Sequence, residues 1–339
     1  MTSSRSANRP TDVPFRKSTS KLMDATPPTY TDKEIVAARP EKADVNPWRP
    51  YAYHVEDERS AAGNIDSVAT IFLTNRECPF RCLMCDLWKN TTDETVPEGA
   101  VPTQIEYALE RLPETQHVKL YNSGNFFDQQ AFPPSDRPAV AEQVQDFDTV
   151  VVENHPKLCR DVCVDFQHQI GGELEIALGL ETAHPTVLDR LNKRMTRDDF
   201  RRAVGFLREN GIDVRTFILL RPPFLSESEG VEWALRSLEF AFDAGVYCAS
   251  IVPTRSGNGI MQHLERDGHF EPPSMTSIET VLEEGVRMDR GRVFMDLWDL
   301  ERFYECLDCG PKRRERLQRM NQTQMMQPPI RCTCDHSQT

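Results

Sequence analysis

The chain has 339 residues, 39% of them hydrophobic and 27% charged, with a formal net charge of −13. That apolar fraction suits a globular core, and no run approaches the ~18 uninterrupted apolar residues of a membrane-spanning helix. The acidic balance argues against a broadly basic nucleic-acid-binding face, because neutralising phosphates takes Lys and Arg.

Residues 1–64 read as an N-terminal extension, largely irregular. Its first 50 residues are rich in Ser, Thr, Pro and charge without sustained period-2 or period-3.6 patterning, and the first 30 are expected to be disordered. The stretch Asn-Pro-Trp-Arg-Pro-Tyr at 46–51 concentrates aromatics with prolines and is expected to pack back on the core.

Over 65–270 short apolar runs alternate with helical patterns. Strands are expected at 68–74, 117–122, 149–153, 174–180, 214–220 and 246–252. Helical patterns fall at 103–112, 138–144, 156–168, 185–190, 196–210 and 226–244. Gly211 and Gly245 stand where helix C-caps belong, and Thr196 with Asp199 three residues on reads as a helix start. Such alternation implies parallel strands joined by right-handed crossovers. The fold class is therefore α/β, a partial TIM-like (β/α)6 barrel. A doubly wound open sheet is the alternative, but no G-x-G-x-x-G follows any strand. Residues 271–339, with a helix at 277–288 and a strand at 292–297, read as a small cysteine-bearing C-terminal cap.

Just past the first expected core strand the chain reads Glu-Cys-Pro-Phe-Arg-Cys-Leu-Met-Cys-Asp, placing Cys78, Cys82 and Cys85 in a C-x3-C-x2-C spacing. Three thiolates on one loop hold three corners of a cube-shaped iron–sulfur cluster, since soft sulfur suits iron. No further cysteine occurs before Cys159, so one iron would stay open for an exogenous ligand, the mark of a catalytic metal site. A zinc site completed by a distant residue is the alternative. A disulfide framework fits less well, with no apolar signal segment and only ten cysteines. Missing signal and cluster ligands together lead to the expectation of a reducing cytoplasm.

This triplet after a first strand resembles the radical S-adenosylmethionine (SAM) superfamily. The resemblance covers roughly 65–270. It implies that the open iron of a [4Fe–4S] cluster binds SAM and that reductive cleavage yields a 5′-deoxyadenosyl radical. It also implies a one-electron reductant such as a flavodoxin or ferredoxin. Ser123, Gly124 and Asn125 occupy the place of the segment that meets the amino group of SAM. Glu153 and Glu181 stand at the ends of the third and fourth core strands, where a carboxylate accepts from ribose hydroxyls. For either, a salt bridge with a rim arginine is the alternative. Phe217 falls where apolar contacts to adenine are made, and Arg255 and Asn258 where adenine or substrate is met. Met84 stands where many members carry an aromatic residue.

Gly-Leu-Glu-Thr at 179–182, followed by Leu-x-x-Leu-Asn-Lys-x-Met-Thr, resembles the elongator catalytic-subunit-like branch and the radical SAM subunits of archaeosine biosynthesis. That resemblance implies a lysine-modified deazaguanine base in tRNA as substrate, with a partner subunit. A non-catalytic iron–sulfur or zinc protein acting in assembly or partner binding is the alternative function.

Cys306 and Cys309 form a C-x2-C, and Cys332 and Cys334 a C-x-C. Four cysteines in two pairs suit zinc, or an auxiliary iron–sulfur cluster with no open iron; unligated thiols are the alternative. Cys159, Cys163 and Cys248 read as buried small hydrophobes. The basic run Lys312, Arg313, Arg314, Arg316 and Arg319 reads as a solvated helix face or a local basic patch.

Overall fold

The computed structural model describes residues 27–332 and 334. Of the segment expected to be disordered, 1–26 lies outside the described residues. One eight-stranded sheet organises the rest, in the order β1 (Ala52–Arg59), β2 (Ile65–Phe72), β3 (His117–Tyr121), β4 (Thr149–Asn154), β5 (Glu173–Glu181), β6 (Asp213–Leu220), β7 (Cys248–Pro253) and β8 (Arg292–Met295). β1 runs antiparallel to β2, and every later neighbour is parallel. The six core strands expected from sequence are β2 to β7. The sheet also takes β1 from the stretch expected to be irregular and β8 from the C-terminal cap, so it crosses both expected boundaries.

Side chains far apart in strand order meet on one face. Arg215 on β6 reaches Glu58 on β1 at 2.7 Å, Lys119 on β3 reaches Glu56 and Glu58 at 2.8 and 2.5 Å, and Arg292 on β8 donates to the Arg59 carbonyl at 2.7 Å. These contacts require the sheet to curl into an incomplete barrel. Its convex face is apolar at every second residue: Val118 and Leu120, Val150 and Val152, and Ile176 and Leu178 are buried in one core with Ile105, Phe200, Val204 and Leu238 of the crossover helices.

The concave face is layered. Glu56, Glu58, Lys119, Glu175 and Arg215 form an ionic floor, and Arg215 and Tyr247 both bond Glu175. Burial alone would raise the Glu58 carboxyl, but Arg215 and Lys119 outweigh it and hold its pKa well below the carboxylate range. Two residues further along the strands the lining turns aromatic. Phe72 packs on Tyr51, His54 and Tyr121, and Tyr121 on Phe217. Above that layer lie the C-terminal ends of the parallel strands, where βα loops converge.

The free edge of β8 is closed by side chains. Asn321, in the helix Gly310–Thr323, accepts from the Met295 N–H and donates to its carbonyl at 2.9 and 2.8 Å. Gln324 does the same for Val293 at 2.8 and 2.9 Å. Two amides thus replace a ninth strand and protect an otherwise sticky edge. The same helix carries the basic run, which is no uniformly solvated face. Arg316 is buried against Glu283 and Glu279, and Arg313 pairs with Glu279. Among the described residues no helix is long and apolar enough to cross a membrane.

Candidate functional site

The loop after β2 carries Cys78, Cys82 and Cys85, all free. It has almost no regular structure of its own, so neighbours hold its backbone. Asn258 donates to the Leu83 and Cys85 carbonyls at 2.8 and 3.0 Å, and Trp88 Nε1 donates to Cys85 O at 3.1 Å. Leu83 N–H bonds Leu191 O at 2.9 Å, and Asn192 bonds Arg81 O at 2.7 Å. At the loop's start Glu77 pairs with Arg39, Lys42 and Arg81. Phe80 stacks on His155, ring centroids 3.9 Å apart. Burial lowers the His155 pKa to about 3, so the ring is neutral and its Nε2–H donates to the Lys193 carbonyl.

The three sulfurs feel one another's charge, yet they do not converge on a point. Among the described residues, the C-terminal cysteines are the one group of three or more such residues whose donor atoms all lie within 4.8 Å of one another. A cubane asks for sulfurs farther apart than that, because each thiolate binds a different iron. Gly124 approaches so closely that a Cβ there would lie 3.4 Å from the Cys78 Cβ, and Asn125 Nδ2 donates to Cys78 Sγ at 3.1 Å. The donor set and its surroundings therefore fit a [4Fe–4S] group. Burial pushes the Cys82 thiol up to about 12 and raises Cys78 and Cys85 as well. Such thiols ionise only when the metal's own charge drives the proton off.

Beside the triplet lies a buried ion pair that sequence reasoning did not find. Lys193 Nζ donates to Glu181 Oε1 at 2.6 Å, and both residues are 8% exposed. Burial pulls the Lys193 pKa down, but Glu181 and the cysteine sulfurs more than offset it and the ammonium stays charged. The partner of Glu181 is thus a lysine, where a rim arginine was the alternative. A Cβ on Gly179 would collide with both ends of the pair, which explains the glycine. The signal available was the Asn-Lys within the 188–196 motif, but a lysine in a polar stretch reads as surface.

Ser123, Glu181 and Arg221 all have left-handed backbones, φ 53°, 65° and 55°, and each sits at or just beyond the end of a parallel strand. Non-glycine residues adopt that region at a cost, and such strain collects at functional sites. Ser123 hydroxyl bonds Tyr51 at 2.8 Å. The Glu153 carboxylate accepts from the Asn122 and Ser123 N–H groups, and burial nevertheless raises its pKa to about 7. Phe217 lines the aromatic layer below. Arg255 turns aside to Asp296, at 2.7 Å, and to the Trp298 carbonyl, at 2.6 Å. Asn258, expected at adenine or substrate, clasps the cysteine loop. Arg221 is held by Glu227 and Glu271, and Met84 packs on an apolar cluster that includes Leu83, Leu191 and Leu219.

No family model matches the chain. An uncharacterized protein of Methanocaldococcus jannaschii is 23% identical over 84% of this chain and 85% of its own length. The archaeosine synthase subunit beta of Thermococcus kodakarensis is 30% identical over 59% of this chain, and the match spans 65% of that relative. Among solved structures, methylornithine synthase superposes with a TM-score of 0.50 at 14% identity, covering 74% of this chain and 69% of that one. The half-barrel with its cysteine loop after the first parallel strand is the architecture those motifs implied. The chain thus shares the fold of methylornithine synthase and is similar in sequence to the archaeosine synthase beta subunits.

Proposed function

We propose that the protein is a radical SAM enzyme acting on a modified tRNA base together with a partner subunit, in the cytoplasm. The observation that carries this reading is the cysteine triplet, spread on a loop clasped from four sides at the strand-end mouth of the half-barrel. Cys78, Cys82 and Cys85 would hold a [4Fe–4S] cluster. When bound with SAM on its open iron, and with a flavodoxin or ferredoxin as the electron source, that group would supply the one-electron reduction that cleaves the sulfonium to methionine and a hydrogen-abstracting 5′-deoxyadenosyl radical.

The chain's own residues bind and orient. The Ser123–Gly124–Asn125 backbone receives the amino group of SAM, and its left-handed turn brings that backbone close to Cys78. Lys193 occupies one oxygen of Glu181, and the other is the acceptor for ribose hydroxyls. Glu153 lies against the Asn122–Ser123 backbone, Phe217 offers an apolar face of the aromatic layer to adenine, and Arg255, held by Asp296 just past β7, would meet adenine or substrate. The acidic chain leaves RNA phosphates to the partner subunit. The names of the archaeosine synthase relatives support the tRNA assignment.

The test is anaerobic incubation of the reconstituted protein with SAM, dithionite and tRNA bearing the lysine-modified deazaguanine. Formation of 5′-deoxyadenosine, increased by that tRNA, is expected. Formation unaffected by tRNA would remove the substrate assignment, and none at all would leave the non-catalytic alternative.

A further inference from the structure

The two C-terminal cysteine pairs lie outside the site above, and their geometry is of another kind. All four sulfurs, of Cys306, Cys309, Cys332 and Cys334, fall within 4.8 Å of one another, and Cys309 and Cys334 are 3.7 Å apart. A single tetrahedral zinc with bonds of about 2.3 Å places its sulfurs ~3.8 Å apart. A polynuclear cluster, with each thiolate on a different iron or pair, holds them much farther apart. We infer that these four cysteines bind one zinc ion in a closed, structural tetrathiolate site, and not an auxiliary iron–sulfur cluster.

The surrounding chain is built to bring the pairs together. Cys306 and Cys309 lie at the start of the helix Gly310–Thr323, with Cys309 as its N-cap. The Asp308 and Cys309 N–H groups hydrogen-bond to the Cys306 sulfur. Beyond the helix the tail doubles back beside it. Buried Arg316 donates to the Gln327 carbonyl at 3.2 and 2.7 Å and to the Pro328 carbonyl at 2.8 Å, while Glu283 holds its other side at 2.6 Å. That return path delivers Cys332 and Cys334 to the helix start.

The tail has little else to hold it. Met325 and Met326 are 66% and 41% exposed, so apolar burial contributes little there. All four positions on the ion are filled by protein, leaving none for substrate or water, as in structural zinc sites. Binding releases the thiol protons to solvent and gives the segment folding free energy. Because the same helix caps the β8 edge through Asn321 and Gln324, the ion secures one rim of the half-barrel.

Metal analysis of the full chain tests this without any assay of the loaded enzyme. One zinc per chain is expected in wild type and in the Cys78→Ala, Cys82→Ala, Cys85→Ala triple variant, and none in Cys306→Ala with Cys309→Ala. Should the last variant fail to fold, cobalt exchanged into wild type is expected to show the intense visible bands of a tetrahedral tetrathiolate. Hydrogen exchange over 325–334 is expected to speed up by at least tenfold on chelation. Iron at these cysteines, zinc far below stoichiometry in wild type, or an octahedral cobalt spectrum would overturn the site. None of these results depends on whether the N-terminal triplet carries a cluster.

Discussion

Lys193→Met is expected to destabilise the protein by about 3–5 kcal/mol, the range for leaving one member of a buried ion pair uncompensated. The cause is local. Glu181 is 8% exposed and its backbone is fixed at φ 65°, so its carboxylate would stay buried where the lysine had been. Adding Glu181→Gln to Lys193→Met should recover most of the loss, because a neutral amide replaces the stranded carboxylate. Urea midpoints at unchanged slope read both numbers. Equal losses in the single and double variants would show that a stranded carboxylate is not the source of the loss.

Replacing Cys78, Cys82 and Cys85 together with alanine is expected to abolish the visible absorbance of a reconstituted [4Fe–4S] cluster and all 5′-deoxyadenosine formation. Far-UV circular dichroism should stay the same. The loop is held from outside by Asn258, Trp88, Asn192 and the Phe80–His155 stack, so its path does not depend on the sulfurs. Iron retained at the N-terminal site in the triple variant would contradict the ligand assignment.

The six core strands, β2 to β7, were legible because each alternates or runs apolar residues toward covering helices. β1 was not, for a physical reason. Its sequence, Ala-Tyr-His-Val-Glu-Asp-Glu-Arg, carries Glu56 and Glu58 into the barrel to meet Lys119 and Arg215, so its inward face is charged and hydrophobic periodicity has nothing to detect. β8 was legible as a strand, but its place beside β7 is a matter of tertiary pairing that four residues do not specify. Cysteine spacing found both thiolate groups. It could not separate a spread triplet from a converging tetrad, since that difference lies in sulfur-to-sulfur distance. Lys193 and Asn258 act through long-range hydrogen bonds to Glu181 and the cysteine loop, and His155 through one to the Lys193 carbonyl and a stack on Phe80, and no local pattern marks such partners.

The open iron is the centre of this account, and electron paramagnetic resonance of the reduced, reconstituted protein with and without SAM addresses it directly. Three cysteines on a four-iron cluster leave one iron free, so SAM should shift the g-values of the reduced cluster, and the cluster signal itself should be absent from the Cys78→Ala, Cys82→Ala, Cys85→Ala variant. A fully formed cluster whose spectrum is unchanged by saturating SAM would contradict the assignment.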